Sequence, residues 1–265
     1  MVAVLPPSFA FGGVVQLKLV VFDLDDTLAP SKSSLPSEVG KQLRRLLDRA
    51  EVLVISGGTL EQFQTQLLAN LNASEEQLRR LHLMPTCGTR YYQREDGRWQ
   101  ARYAHDLDEA AKQGAIATLE KCAKELGLWE ENPAGEIIED RGSQITYSAL
   151  GQQAALEAKR AWDPTGQKKA KLRDAVAPLV PDLEVRSGGS TSVDITMKGV
   201  DKAYGMAKIM EQTGFTKDQI VFVGDRLDPQ GNDYPVKKAG FETISVGGWQ
   251  DTVGVIAHLI DTQLA

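Results

Sequence analysis

Apolar residues along this chain fall into two patterns. In the first, short unbroken runs alternate with helical stripes. Leu19-Val20-Val21-Phe22, Val52-Leu53-Val54-Ile55 and Ile220-Val221-Phe222-Val223 are continuous apolar runs. Such runs predict strands buried on both faces, as in a parallel sheet. Between them, Val39, Leu43, Leu46, Leu47 and Ala50 mark one helix over about 37–49. Leu60, Phe63, Leu67, Leu68 and Leu71 mark another, opened by a Thr59/Gln62 capping box. Helices over 202–210 and 252–264 and a strand over 241–246 continue this pattern to the end of the chain.

The second pattern occupies the middle. Tyr91-Tyr92-Gln93 and the run 98–103 flank Glu95-Asp96-Gly97, a hairpin signal. A helix is predicted over 107–126. Segments 136–139, 144–148, 183–186 and 192–196 then alternate as strands with one wet face, an antiparallel signature. The predicted fold is α/β. A Rossmann-like parallel-sheet core (1–91 and 199–265) is interrupted by an inserted α/β domain (92–198).

Composition adds few constraints. The chain has 265 residues, a formal charge of −6 with the signs mixed, two cysteines and three histidines. This is an ordinary globular composition. It argues against a nucleic-acid or membrane-surface partner. Cys87 and Cys122 have no metal-type spacing and fit reduced thiols in a cytoplasmic protein. The scattered His82, His105 and His258 are expected to be structural or solvated. No apolar run is long enough to span a bilayer. Residues 1–15 are apolar but lack a basic start and contain Pro6-Pro7, so a loose tail is expected rather than a signal peptide.

Candidate chemistry gathers where the apolar strands end. The first stops in Asp23-Leu24-Asp25-Asp26-Thr27. Ligands of open α/β sheets bind at such carboxyl ends, and clustered hard oxygens suit Mg²⁺. The second stops in Ser56-Gly57-Gly58 before a helix, a seat for a phosphate. The last stops in Gly224-Asp225, followed by Gly231-Asn232-Asp233, and Lys202 opens a helix upstream.

This ordered set resembles the haloacid dehalogenase superfamily of phosphotransferases, over nearly the whole chain. The resemblance implies that Asp23 attacks phosphorus to form an aspartyl-phosphate and that Asp25 serves as general acid and then base. It further implies Mg²⁺ held by Asp23, the backbone carbonyl of Asp25, and Asp225, supported by Asp233 or Asp228. Ser56, Gly57, Asn232 and Lys202 would hold the phosphoryl group. Asp26 stands at a position where glycine is usual and is expected to point away from the site. The insert matches the superfamily's large α/β cap, whose closure over the core excludes water.

Closer still is the similarity to eukaryotic-type phosphomannomutases. It rests on the long spacing from Asp225 to Gly231-Asn232-Asp233, on Gly189-Ser190-Thr191-Ser192-Val193-Asp194 with Asp201-Lys202, and on the run from Arg141 to Gly151. It implies a small phosphorylated sugar as substrate, bound by Arg141, Ser192 and Asp194. Relatives of this kind pair through their caps, so a homodimer stays open, although no decisive apolar stripe is present. Three positions depart from the pattern: Lys32, Lys159 and Gln152 each stand where the mutases carry arginine. Lysine is a point charge and glutamine is neutral, so a bisphosphate is harder to hold in two orientations. On that ground the sequence leans towards a sugar phosphatase, with a hexose-phosphate mutase as the alternative. A non-catalytic phospho-sugar binding protein is the rival from outside enzymology, and it has no need of both Asp23 and Asp25.

Overall fold

The computed structural model of the protein describes residues 16–264; the segment 1–15, expected to be a loose tail, lies outside the described residues. The chain folds as two compact units, 1–104 with 201–265, and 105–200.

In the first unit, β1 (Leu19–Asp23), β2 (Glu51–Ile55), β3 (Leu81–Met84), β4 (Arg90–Glu95), β5 (Arg98–Ala104), β10 (Ile220–Gly224) and β11 (Glu242–Ser245) form one sheet in the order β11-β10-β1-β2-β3-β4-β5. The pairs from β11 through β3 are parallel. The central strands are apolar at every position because both faces are covered. Val20, Phe22, Val52 and Val54 pack in one core with Leu43, Leu46 and Leu47 of the Ser37–Leu47 helix and Ile256 and Leu259 of the Trp249–Gln263 helix. Leu19, Val21, Leu53 and Ile55 pack in the other with Met206 and Ile209 of the Lys202–Thr213 helix. The parallel core predicted from the apolar runs is present, and with it the carboxyl ends of β10, β1 and β2 lie side by side.

The hairpin corrects the expected boundary at residue 92. β4 pairs antiparallel with β3, and β5 with β4, so the hairpin extends the first sheet. Its alternation, which matches that of the insert, is that of a sheet edge. Tyr91 is buried in one core and Tyr92 packs against the other. His82 of β3 lies 2.7 Å from the Tyr91 hydroxyl and ties the hairpin down. The insert therefore begins at 105, not 92, and ends at 200.

The second unit has the antiparallel sheet β6 (Ile138–Asp140), β7 (Gln144–Ser148), β9 (Ser192–Met197) and β8 (Leu183–Ser187), in the order β6-β7-β9-β8. Its core joins Ile145, Tyr147, Val193 and Ile195 to Leu119 of the Glu109–Glu125 helix and to Leu172 and Val176 of the Gln167–Val176 helix. Alternation marks the polar positions of β7 as wet. All five of its residues are buried, and its polar groups are satisfied internally: Gln144 Nε2 donates to Thr146 Oγ1, which donates to Asp194. Among the described residues no helix is long and apolar enough to cross a membrane.

Candidate active site

The site is built where three adjacent parallel strands end. β1 delivers Asp23, and the residues after β10 deliver Asp225 and, across a loop, Asp233. One carboxylate oxygen from each lies within 4.8 Å of the others. The Lys202–Thr213 helix delivers the counter-charge. Asp201 caps it by accepting from the Tyr204 backbone at 3.0 Å, so Lys202 is its first residue. Lys202 is 1% exposed, and its Nζ lies 2.6 Å from Asp23 and 2.5 Å from Asp233. Asp233 also accepts from the Arg226 backbone at 3.0 Å, which closes the loop on itself.

The electrostatics are lopsided. Three carboxylates face one ammonium. Burial pushes the Asp23 carboxyl well above its ordinary range; Lys202 pulls it down, and Asp233 pushes it further up. Asp225 is also raised, by burial first and then by Asp233. Lys202 is pulled down by burial, but Asp23 and Asp233 outweigh this and hold its ammonium above the ordinary lysine value. A cluster with this excess of buried negative charge fits a hard divalent cation, and all-oxygen donors at this separation suit Mg²⁺.

The turn after β1 arranges the remaining acids. Asp25 is half-buried and accepts from the Lys32 backbone at 2.7 Å; it is close enough to Asp23 to raise it. Asp26 has φ 60°, the left-handed conformation that favours glycine, as fits a position where the resemblance places one. Its carboxylate accepts from Ser31 N at 3.2 Å, so it binds its own loop. Thr27 donates to Asp225 at 3.3 Å and is held by Thr252, which donates to its carbonyl at 2.6 Å. Asp228 is the exception among the expected acids. It is exposed, paired with Arg226 at 3.0 Å, and outside the cluster; of the two candidates for supporting a metal, Asp233 is the one in place.

The expected phosphate seat, Ser56 and Gly57, follows β2. Ser56 is buried and accepts from Gly58 N at 3.1 Å; Gly57 is partly exposed beside it. Asn232 is exposed on the loop between Gly231 and Asp233, and Lys32 is exposed with its backbone on Asp25.

The five remaining candidates lie in the second unit. Strand register puts Glu139, Thr146, Asp194 and Arg186 in one row across the sheet, since paired residues share a face. Thr146 donates to Asp194 at 2.8 Å, and half-buried Ser192 pairs with Ser148. Arg141, with its side chain 7% exposed, grips Glu139 through Nε at 2.8 Å and Nη2 at 2.7 Å. Sequence reasoning misses this partner, because nothing two residues upstream distinguishes Glu139 from a solvated acid. Lys159 is buried and donates to the Gln152 carbonyl at 2.7 Å, so two of the departures from the arginine pattern touch each other.

The family model for eukaryotic phosphomannomutase matches residues 39–262. A phosphomannomutase from Saccharomyces cerevisiae is 28% identical over 250 residues, covering 92% of this chain and 94% of that protein. One from Schizosaccharomyces pombe is 30% identical over 233 residues, covering 82% and 84%. Among solved structures, a haloacid dehalogenase-like hydrolase from Bacteroides thetaiotaomicron superposes with a TM-score of 0.63 at 16% identity, over 92% of this chain and all of that one. That likeness speaks for the fold, while the family match spans both units and the motifs that carry Lys202, Asp225 and Asp233. The chain belongs to the eukaryotic phosphomannomutase family.

Proposed function

We propose that this protein is a hexose-phosphate mutase that interconverts the 6- and 1-phosphates of mannose or a closely related sugar. The observation that carries the reading is Asp23, buried, salt-bridged to Lys202 at 2.6 Å and clustered with Asp225 and Asp233 at the end of β1. A carboxylate so placed is a nucleophile for phosphorus: one Asp23 oxygen bonds to phosphorus as the ester P–O bond breaks. Asp25 gives its proton to the departing sugar oxygen and takes one back from the hydroxyl that next attacks. Lys202 neutralises charge on the transferring group, and Ser56, Gly57 and Asn232 orient its oxygens. Asp23, Asp225, Asp233 and the backbone at Asp25 would hold Mg²⁺. The ion would supply the charge that lets an anionic carboxylate approach an anionic phosphate. Arg141, Ser192 and Asp194 of the second unit are assigned to the sugar and its far phosphate.

The choice of mutase over phosphatase is supported by the names of the full-length relatives. A phosphatase is the second reading, and two particular observations favour it. Gln152 brings no charge where the mutases carry arginine, and the Arg141 fork is already occupied by Glu139. Phosphorus NMR of purified protein with Mg²⁺ and mannose 6-phosphate separates the two. Interconversion of the 6- and 1-phosphates that requires a hexose bisphosphate activator supports the mutase. Steady release of inorganic phosphate, with no second sugar phosphate, overturns it in favour of the phosphatase.

A further inference from the structure

Ser56 and Lys202, which would grip one phosphoryl group from two sides, sit on different elements. A single turn, residues 86–89 between β3 and β4, touches both. Thr86 N donates to Gly58 O at 3.0 Å and Cys87 N to Ser56 O at 2.9 Å, so the turn holds the Ser56–Gly58 loop at both ends. On its other side, Gly88 abuts Gly205 in the first turn of the Lys202–Thr213 helix. A Cβ on Gly88 would fall 2.5 Å from the Gly205 Cα, and one on Gly205 would fall 3.3 Å from the Gly88 Cα. Backbone therefore rests directly on backbone. The turn thus bridges the serine loop and the lysine helix, beside the direct contact of Ile55 on Gly205.

The turn is held in an uncommon conformation. Thr86, Cys87 and Gly88 have φ of 48°, 55° and 84°, and only the last is a glycine. Consecutive left-handed residues persist only where their surroundings over-determine them. Within the turn, Thr89 Oγ1 donates to Thr86 O at 2.8 Å. From outside, the Tyr103 hydroxyl donates to Gly88 O at 2.8 Å. Burial pushes the Tyr103 phenol above its ordinary value, so it stays a donor at neutral pH. Its ring is fixed in turn: it lies 5.8 Å from Tyr91, which stacks on His82.

We propose that Tyr103 is a positioning residue for phosphoryl transfer. Its hydroxyl fixes the 86–89 turn, and the turn sets the Ser56 loop against the helix that carries Lys202. The inference rests on the phosphotransferase reading of the site. It also gives the β4–β5 hairpin a task in the catalytic unit, although its sequence pattern matches that of the insert.

Beryllium fluoride, a tetrahedral phosphoryl mimic that caps carboxylates, provides the test. With Mg²⁺, the wild-type protein and the exposed-hairpin control Gln100→Ala should form the same adduct on Asp23, seen as bound fluorine resonances by ¹⁹F NMR. Tyr103→Phe removes one hydroxyl only. It should shift those resonances and weaken adduct binding by about five- to tenfold, as expected for one lost hydrogen bond acting on the site. Wild-type shifts and affinity in Tyr103→Phe, even with a lowered melting temperature, would make Tyr103 a hairpin-stability residue and overturn the proposal. If the wild-type protein forms no adduct, the reading of Asp23 itself fails, and the inference falls with it.

Discussion

Three carboxylates crowd one ammonium in the first unit, whereas in the second Arg141 has its own acid, Glu139, bonded through two nitrogens. Both clusters are largely buried. Among the described residues the first sets three acids against Lys202, with Arg226 acting on Asp225 and Asp233 from the loop, so acids outnumber bases there. The second closes its ion pair and adds hydroxyls and an amide beside it. Burying unbalanced charge is costly, so such a cluster fits an arriving cation, and under the proposed function a phosphoryl group with it. A matched pair with neighbouring hydroxyls is set up to hold shape and to offer hydrogen bonds. The sheet topology gives the same contrast. The first cluster hangs from the ends of parallel strands, while the second lies along the face of an antiparallel sheet.

The contrast can be broken most severely at Asp23. Asp23→Asn removes the proposed nucleophile, and turnover of mannose 6-phosphate should fall by about three orders of magnitude or more. Thermal stability should hold or rise, because a buried carboxyl whose ionised form is disfavoured has been replaced by a neutral group. Calorimetry alongside the NMR assay checks both. Lys202→Met should then separate charge balance from packing. With the one cation gone, metal-free protein should lose about 3–5 kcal/mol in urea unfolding, the cost of breaking a buried ion pair on one side. Millimolar Mg²⁺ should restore part of that loss. A loss insensitive to Mg²⁺ would mean that the acids do not share a cation.

In wild-type protein, stripping divalent ions with a chelator should lower the unfolding free energy. Saturating Mg²⁺ at about 100 times its dissociation constant should return about 2.7 kcal/mol. Glu139→Gln probes the matched cluster. It should cost about 1–2 kcal/mol of stability and, by releasing the Arg141 fork, tighten binding of mannose 1-phosphate in titration calorimetry. Weaker binding would show that Glu139 holds Arg141 in its working orientation. The smallest change is expected from Gln152→Arg, which should alter only the ratio of isomerisation to hydrolysis, by about twofold to tenfold, since a charge added at a partly exposed position contributes about 1 kcal/mol.

Much of the first unit is legible in its residues. Continuous apolar runs such as 19–22 and 220–223 admit few arrangements other than parallel strands, and chemistry at their carboxyl ends follows from topology. Asp23, Ser56 and Asp225 therefore stand out from the sequence alone, and Lys202 only through its place in the ordered set that carries the family resemblance. The hairpin at 90–104 is ambiguous at that level, because an antiparallel edge of a parallel sheet and a strand pair of the insert share one alternation. What distinguishes them is a tertiary contact, His82 against Tyr91, which has no local signature. The same limit hides Tyr103, whose partner is a backbone carbonyl 15 residues away. The resemblance offers Asp233, and after it Asp228, as support for a metal, and only the loop geometry turns Asp228 towards Arg226. In the second unit, pattern predicts the strands but not their burial: hydrogen bonds between neighbouring polar side chains keep β7 dry on a face that alternation marks as wet.

Under the proposed function, the transferred phosphoryl group passes through Asp23. The most direct measurement is acid quenching of the protein during turnover with a hexose bisphosphate and Mg²⁺, followed by mass spectrometry of the peptide that contains Leu19–Leu28. A phosphoryl group is expected on Asp23, absent in Asp23→Asn and absent without Mg²⁺. Turnover without phosphate on that peptide, or with phosphate on another residue, would contradict it.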